Sequence, residues 1–93
     1  MEFEWDDAKS DACLAQRGFD FAYAIRVFLD DDRFVGRDRR WDYGEDRYRL
    51  FGAIEGRVFV VIYTVRGSAI RIISARKANR REVREYEQNA RQD

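Results

Sequence analysis

The chain has no histidine, one cysteine and one methionine. Without an imidazole there is no ordinary general base or acid that titrates near neutrality. One cysteine excludes an internal disulfide, which suits a reducing compartment, and it excludes the usual Cys/His zinc site. No glycine-rich phosphate loop is present. The sequence also lacks an apolar run of membrane length and a basic-then-apolar leader, so the expected location is cytoplasmic, away from membranes. Repeats, linkers and low-complexity segments are missing too.

What remains is charge and aromatic mass. Ninety-three residues, 45% apolar and 15% aromatic, make one domain over 1–93 with enough material for a core. The net charge of zero hides a split: residues 1–46 hold 13 acids and 7 bases, and residues 47–93 hold 5 acids and 11 bases. Two readings follow. Either the fold has a basic face for an anionic ligand and an acidic face for a basic partner, or the charges intermix once the chain folds. Sixteen of the eighteen bases are arginine, the residue suited to bidentate phosphate contact, although a GC-rich genome produces the same excess.

Phe3-Glu4-Trp5 alternates apolar and polar, as an edge strand or packed lead-in would. Asp6 is an N-cap for a helix over roughly 7–17, and Gly18 suits the left-handed residue that ends it. Asp20 caps a second helix, in which Phe21, Ala24, Ile25 and Phe28 recur at helical spacing. Asp30-Asp31-Asp32 stops that helix, because like charges at its negative end are unfavourable. This triplet is either a divalent-cation site or a solvated helix end. Cys13 is read as a small core residue.

From residue 33 the period becomes strand-like. Arg33 to Arg40 reads as an edge, followed by a turn through Asp42, Tyr43 and Gly44. Arg47 to Ile54 alternates, and Glu55-Gly56 is a tight hairpin turn. Val58 to Val65 is apolar on both faces and therefore central. A strand over 69–75 follows. Asn79 and Glu82 have capping-box spacing at the start of a last helix over about 80–91, striped by Val83, Tyr86 and Ala90. The expected architecture is an α+β sandwich: two N-terminal helices, an antiparallel sheet of three to four strands and a C-terminal helix. The narrow stripe of that last helix predicts an apolar patch beside it, left for a protein partner.

The chemistry concentrates where strand meets helix. Arg71, Arg76, Lys77, Arg80 and Arg81 crowd the joint, and both guanidinium forks and helix N-terminal N–H groups bind phosphate. Arg66, Arg71 and Arg76, near the ends of adjacent strands, are read as converging. The competing reading pairs them with Glu55, Glu82 or Glu85 as surface charges. Arginines of this kind stabilise a phosphorane without metal. For proton transfer the candidates are Tyr63, Lys77 and Glu82, with Tyr63 also explained as core and Glu82 as a capping partner.

Arg71-Ile72-Ile73-Ser74-Ala75-Arg76-Lys77-Ala78, with Arg81-Glu82 after it, resembles the signature of the BrnT toxins. The opening Phe3-Glu4-Trp5-Asp6 with Lys9 is similar to the start of that family. Gly18, Phe21, Ala24, Val27 and Phe28 resemble its second helix, and Arg47, Gly52, Gly56-Arg57, Tyr63-Thr64 and Arg66-Gly67 its strands. Where the family has Asn and then Lys-His, this chain has Cys13, Gln16 and Arg17. The resemblance implies a RelE-like fold and a metal-independent endoribonuclease toxin. It favours the converging reading of the arginines, so that the expected catalytic residues are Arg66, Arg71, Arg76, Tyr63 and Glu82, and the expected RNA-binding residues Arg47, Lys77, Arg80 and Arg81. No cofactor is implied. The implied partners are RNA and a BrnA-like ribbon-helix-helix antitoxin, which carries the DNA contacts. The missing Lys-His pair leaves open a catalytically weak co-repressor.

Overall fold

The structure, a computed structural model, describes residues 1–40 and 42–90. Strand β1 (Glu2–Trp5) leads into helix α1 (Asp7–Arg17), whose N-cap Asp6 accepts from the Lys9 N–H and whose C-cap Gly18 is left-handed at φ 84°. Helix α2 (Phe21–Ala24), capped by Asp20, runs directly into a 3-10 turn over Ile25–Leu29. Strands β2 (Phe34–Arg37), β3 (Tyr48–Ile54), β4 (Arg57–Arg66) and β5 (Ala69–Lys77) follow, then helix α3 (Arg80–Ala90). Residue 91, the expected end of that helix, lies outside the described residues.

The sheet corrects the expected one. Five strands run in the order β1-β5-β4-β3-β2, and β1 lies parallel to β5 while the other pairs are antiparallel. The class stays α+β; the sheet is mixed and one strand wider than the upper expectation. Four residues of alternation mark a strand, but nothing local sets its direction. That comes from docking beside β5, where Phe3 and Trp5 reach the core. The β3–β4 hairpin turns through Glu55 at φ 51° and Gly56 at φ 81°, both left-handed as a type I′ turn requires.

β4 is central, as its two apolar faces require. One face, the helical face, meets α1, α2 and the 3-10 turn through Leu50, Ile54, Phe59, Val61, Ile72 and Ala75. On the far face Phe51, Val58, Val60 and Ile62 meet Val83 and Tyr86 of α3. The second helix differs from expectation in detail. Its fully buried positions are Phe21, Ala24 and Val27, a spacing of three, whereas Ile25 and Phe28 are half-buried. Three residues per turn is the 3-10 period, and the tightening drives Val27 into β3.

Gly52 permits that contact. A β-carbon built there would sit 2.9 Å from both the Val27 Cβ and the Val27 carbonyl oxygen. Gly52→Ala should therefore destabilise the fold by about 1–3 kcal/mol, read as a lower urea midpoint at unchanged slope. An unchanged midpoint would mean that the 3-10 turn shifts freely.

Candidate functional site

The site is laid out by the register of the far face. Direct pairing places Asp38 and Arg47 at the β2–β3 end, with Thr64, Arg71 and Glu4 across the same row. The next row toward α3 carries Gly36, Arg49, Ile62 and Ser74, and the row after that carries Phe34, Phe51, Val60 and Arg76. Arg66 continues the same alternation at the end of β4. Four arginines expected at the site (Arg47, Arg66, Arg71 and Arg76) thus share one face.

A β-bulge makes this arrangement possible. Arg71 and Arg76 are five residues apart, so a regular strand would point them to opposite faces. The pairing slips between Ile62 and Tyr63, and β5 carries Ile73 as an extra residue there. Ile73 joins the far-face cluster while Ile72 joins the helical one. The slip reverses the alternation, and Arg71 and Arg76 emerge together. They still stand about 15 Å apart along the strand. The three arginines Arg66, Arg71 and Arg76 therefore share a surface without meeting at a point.

Each is held by a carboxylate. Arg71 Nη1 donates to Glu4 Oε2 at 2.7 Å, and Arg66 approaches Glu45 at 3.5 Å. Arg47 shares that Glu45 at 3.4 Å and stacks its guanidinium 3.8 Å from the Tyr43 ring centroid. Arg76 forks onto Glu82 with bonds of 2.7 and 2.8 Å. The acids Glu4 and Glu45 come from the acidic half of the chain and the bases from the basic half, so the charges do intermix here.

Arg76 and Glu82 also close the start of α3. The capping box forms as its spacing predicts: the Asn79 N–H donates to Glu82 Oε1, and the Glu82 N–H to Asn79 Oδ1, both at 2.9 Å. The Arg76 fork, followed by the Asn79 N–H, holds the Glu82 carboxyl down at about 2. The same bond raises the Arg76 guanidinium. Glu82 is thus an ionised anchor, with a side chain only 8% exposed. Its bonds leave it poorly suited to taking a proton near neutrality.

Other expected residues lie elsewhere. Tyr63 points to the helical face, packed by Phe28 and Tyr48, and burial raises its hydroxyl. Lys77 also sits on that side, lining a surface cleft of about 300 Å³ with Arg17, Phe19 and Tyr23. Arg80 and Arg81 are exposed on the first turn of α3. The Asp30 carboxylate is occupied: although burial pushes it up, bonds from Tyr86, Ala53 and Asp32 hold it below its ordinary value. Among the described residues no group of His, Cys, Asp or Glu is arranged to hold a metal ion.

The expected apolar patch beside α3 is a correction. Among the described residues the exposed large hydrophobics are Met1, Leu14, Leu29, Val35 and Val65, none of them in the far-face cluster under α3. Arginine rows occupy the sheet surface where that patch was expected. Arg17 and Cys13, where the resemblance predicts other residues, both donate to the Ala75 carbonyl on the open edge of β5, at 2.9 and 3.6 Å.

Sequence reasoning missed Arg49, Arg40 and Asp38. Asp38 is buried, its side chain 1% exposed, and Arg40 forks onto it at 2.9 and 3.0 Å. That bond, ahead of any other cause, holds the Asp38 carboxyl below its ordinary value, and the charge of Arg49 adds to it. The signal for Arg49 was its place in the alternation Arg47-Arg49-Phe51, opposite the core-facing Leu50.

Arg76–Glu82 should mark acid stability. The folded carboxyl, near 2, lies below its ordinary 4.5, so its contribution is complete above about 4.5 and disappears as pH falls toward 2. The stability difference between wild type and Glu82→Gln should reach about 3 kcal/mol near neutrality and shrink through that window. A difference independent of pH would show that the ion pair is not the source.

No curated protein matches the chain. A family model described as "Ribonuclease toxin, BrnT, of type II toxin-antitoxin system" matches residues 5–82, from Trp5 on β1 to Glu82 in the first turn of α3. That span includes β2 to β5, the last residue of β1 and all the far-face arginines named above. No helix among the described residues is long and apolar enough to cross a membrane. The match extends over most of the chain, and on it the protein belongs to the BrnT family of ribonuclease toxins of type II toxin–antitoxin systems.

Proposed function

We propose that the protein is a metal-independent endoribonuclease toxin that cuts RNA by attack of the RNA's own 2′-hydroxyl. The observation that carries this reading is the set of arginines gathered on the far face by the bulge in β5. Arg76, oriented by Glu82, is the guanidinium that stabilises the negative phosphorane oxygens, a role that needs fixed donors and no proton transfer. Arg71, Arg66 and Arg47 bind backbone phosphates along the same face, and Arg80 and Arg81 extend it onto α3. Tyr63 and Lys77 face the other way, so we assign them no part in proton transfer. With Glu82 ionised far below neutrality, solvent removes the 2′-proton as the 2′-O–P bond forms, and water protonates the 5′-oxygen that leaves as the P–O5′ bond breaks.

The cellular reading follows from the family. A cognate antitoxin with a ribbon-helix-helix DNA-binding part blocks the toxin in the cytoplasm, and the complex represses the shared operon. A second reading, a catalytically weak co-repressor acting only in the complex, is favoured by one observation. Cys13 and Arg17, at the Asn and Lys-His positions, are committed to the Ala75 carbonyl. Induced expression without antitoxin separates the readings, since only an active toxin arrests growth.

Cleavage should persist in EDTA and leave a 2′,3′-cyclic or 3′-phosphate end. Activity lost in EDTA and restored by magnesium would overturn the mechanism. The logarithm of kcat/KM should show no ionisation of a protein group between about pH 5.5 and 7.5, because the chain has no histidine and Glu82 stays charged. Arg76→Ala alone would strand a buried carboxylate and lose stability. The paired change Arg76→Gln with Glu82→Gln avoids that, and should keep the fold while slowing cleavage by about 100-fold or more. Wild-type cleavage by this folded double variant would remove Arg76 from the mechanism.

A further inference from the structure

Five charged side chains form a series across the far face: Arg40, Asp38, Arg49, Glu82 and Arg76. The two outer arginines fork onto the two acids. Arg49 lies between them, and its charge acts on both Asp38 and Glu82. Each acid is already engaged by another guanidinium. Among the described residues Arg49 Nε is the buried side-chain nitrogen that has no hydrogen-bond partner. A buried charged donor left without an acceptor is unfavourable, so its persistence needs a reason.

The surroundings fit an incoming anion. Three guanidiniums against two carboxylates leave one positive charge, which a single phosphodiester neutralises. Beside Arg49 on the edge strand is Gly36, where an added Cβ would meet nothing within 4 Å. The floor beside Arg49 is therefore open at Gly36, although the Nε itself is covered. Arg49 is itself fixed, its guanidinium 5.3 Å from the Phe51 ring centroid. Little side-chain freedom remains to be lost on binding.

We propose that Arg49 is a phosphate-binding residue of this toxin, seating one RNA phosphodiester over Gly36 between Arg40 and Arg76. This rests on the reading of the arginine face as the RNA site. The phosphate accepts from the Arg49 guanidinium and draws Arg40 and Arg76 toward it without removing either from its acid. Arg76 thereby acts on the phosphate held by Arg49 or on its immediate neighbour.

The test uses the full chain and a mixed-sequence, 2′-O-methylated single-stranded RNA 12-mer, which binds but has no 2′-hydroxyl to attack. Affinity is measured by fluorescence anisotropy against salt concentration, with thermal melts for each variant. Arg49→Gln should weaken binding by about 10- to 100-fold. It should also reduce the slope of log K against log salt by about 0.7, one phosphate contact. Arg49→Lys should restore the slope but not cleavage of unmodified RNA, because an ammonium lacks the guanidinium's planar fork of donors. Arg57→Gln, an exposed arginine at the start of β4, is the control and should behave as wild type. A folded Arg49→Gln protein with wild-type affinity and slope would overturn the inference, and so would a loss explained entirely by a melt below the assay temperature. If the Arg76→Gln, Glu82→Gln protein also binds and cleaves as wild type, the arginine-face reading itself falls. If only the Arg49 variant does, that reading stands and this inference alone fails.

Discussion

The ion pair between Arg76 and Glu82 joins the last strand to the last helix, and the layout of the far face depends on that joint. The fork, the capping box and the bond from the Ala78 N–H to the Val58 carbonyl fix where α3 leaves the sheet. From the middle of the helix, the Tyr86 hydroxyl donates to Asp30, whose carboxylate also accepts from the Ala53 N–H at the end of β3. Held at its start and at its middle, α3 buries Val58, Val60 and Phe51. The rest of the face is left to arginine stems and carboxylates. A half-buried pair of this kind costs little to replace whole, because desolvation offsets most of the attraction, whereas removing one partner is expensive. What it supplies is position.

The far face shows how a neutral chain can carry a cationic surface. Most of its arginines have an acid within reach, and exposed pairs such as Arg66–Glu45 add little to stability. Pairing nevertheless orders the guanidiniums, which on the proposed function lowers the entropy lost when a phosphate binds. The acids are placed under or beside the arginines rather than on a separate face, as Asp38 and Glu82 show by their burial. The division into acidic and basic halves along the sequence therefore disappears in space at this surface.

On the opposite side the same economy serves the fold. The short β1 covers only the first part of β5, leaving the later edge of that strand unpaired at Ala75. α1 closes the gap, and Arg17 and Cys13 satisfy that carbonyl. Ser10 ties α1 to the start of α2 by accepting the Phe21 N–H at 3.0 Å. An edge treated this way has one acceptor fewer for a second chain to pair with.

Local chemistry alone was enough to place the caps at Asp6, Asp20 and Asn79, the left-handed Gly18, the Glu55-Gly56 turn and the central, doubly buried β4. Each of these depends on side chains within a few residues of one another, and a hydrogen bond or a steric limit at that range is written in the order of the residues. The arginine-rich joint was legible for the same reason. Three things were not. The direction of β1 depends on which strand it docks against. The 3-10 tightening at Val27 depends on Gly52, twenty-five residues later, yielding space. Above all, the common face of Arg71 and Arg76 depends on a bulge. Strict alternation along β5 separates those two side chains, and only the extra residue Ile73, where the pairing slips between Ile62 and Tyr63, shifts the register by one. Arg49 entered the site by the same route, since a residue's neighbours across a sheet are set by pairing between distant strands and not by its own sequence context.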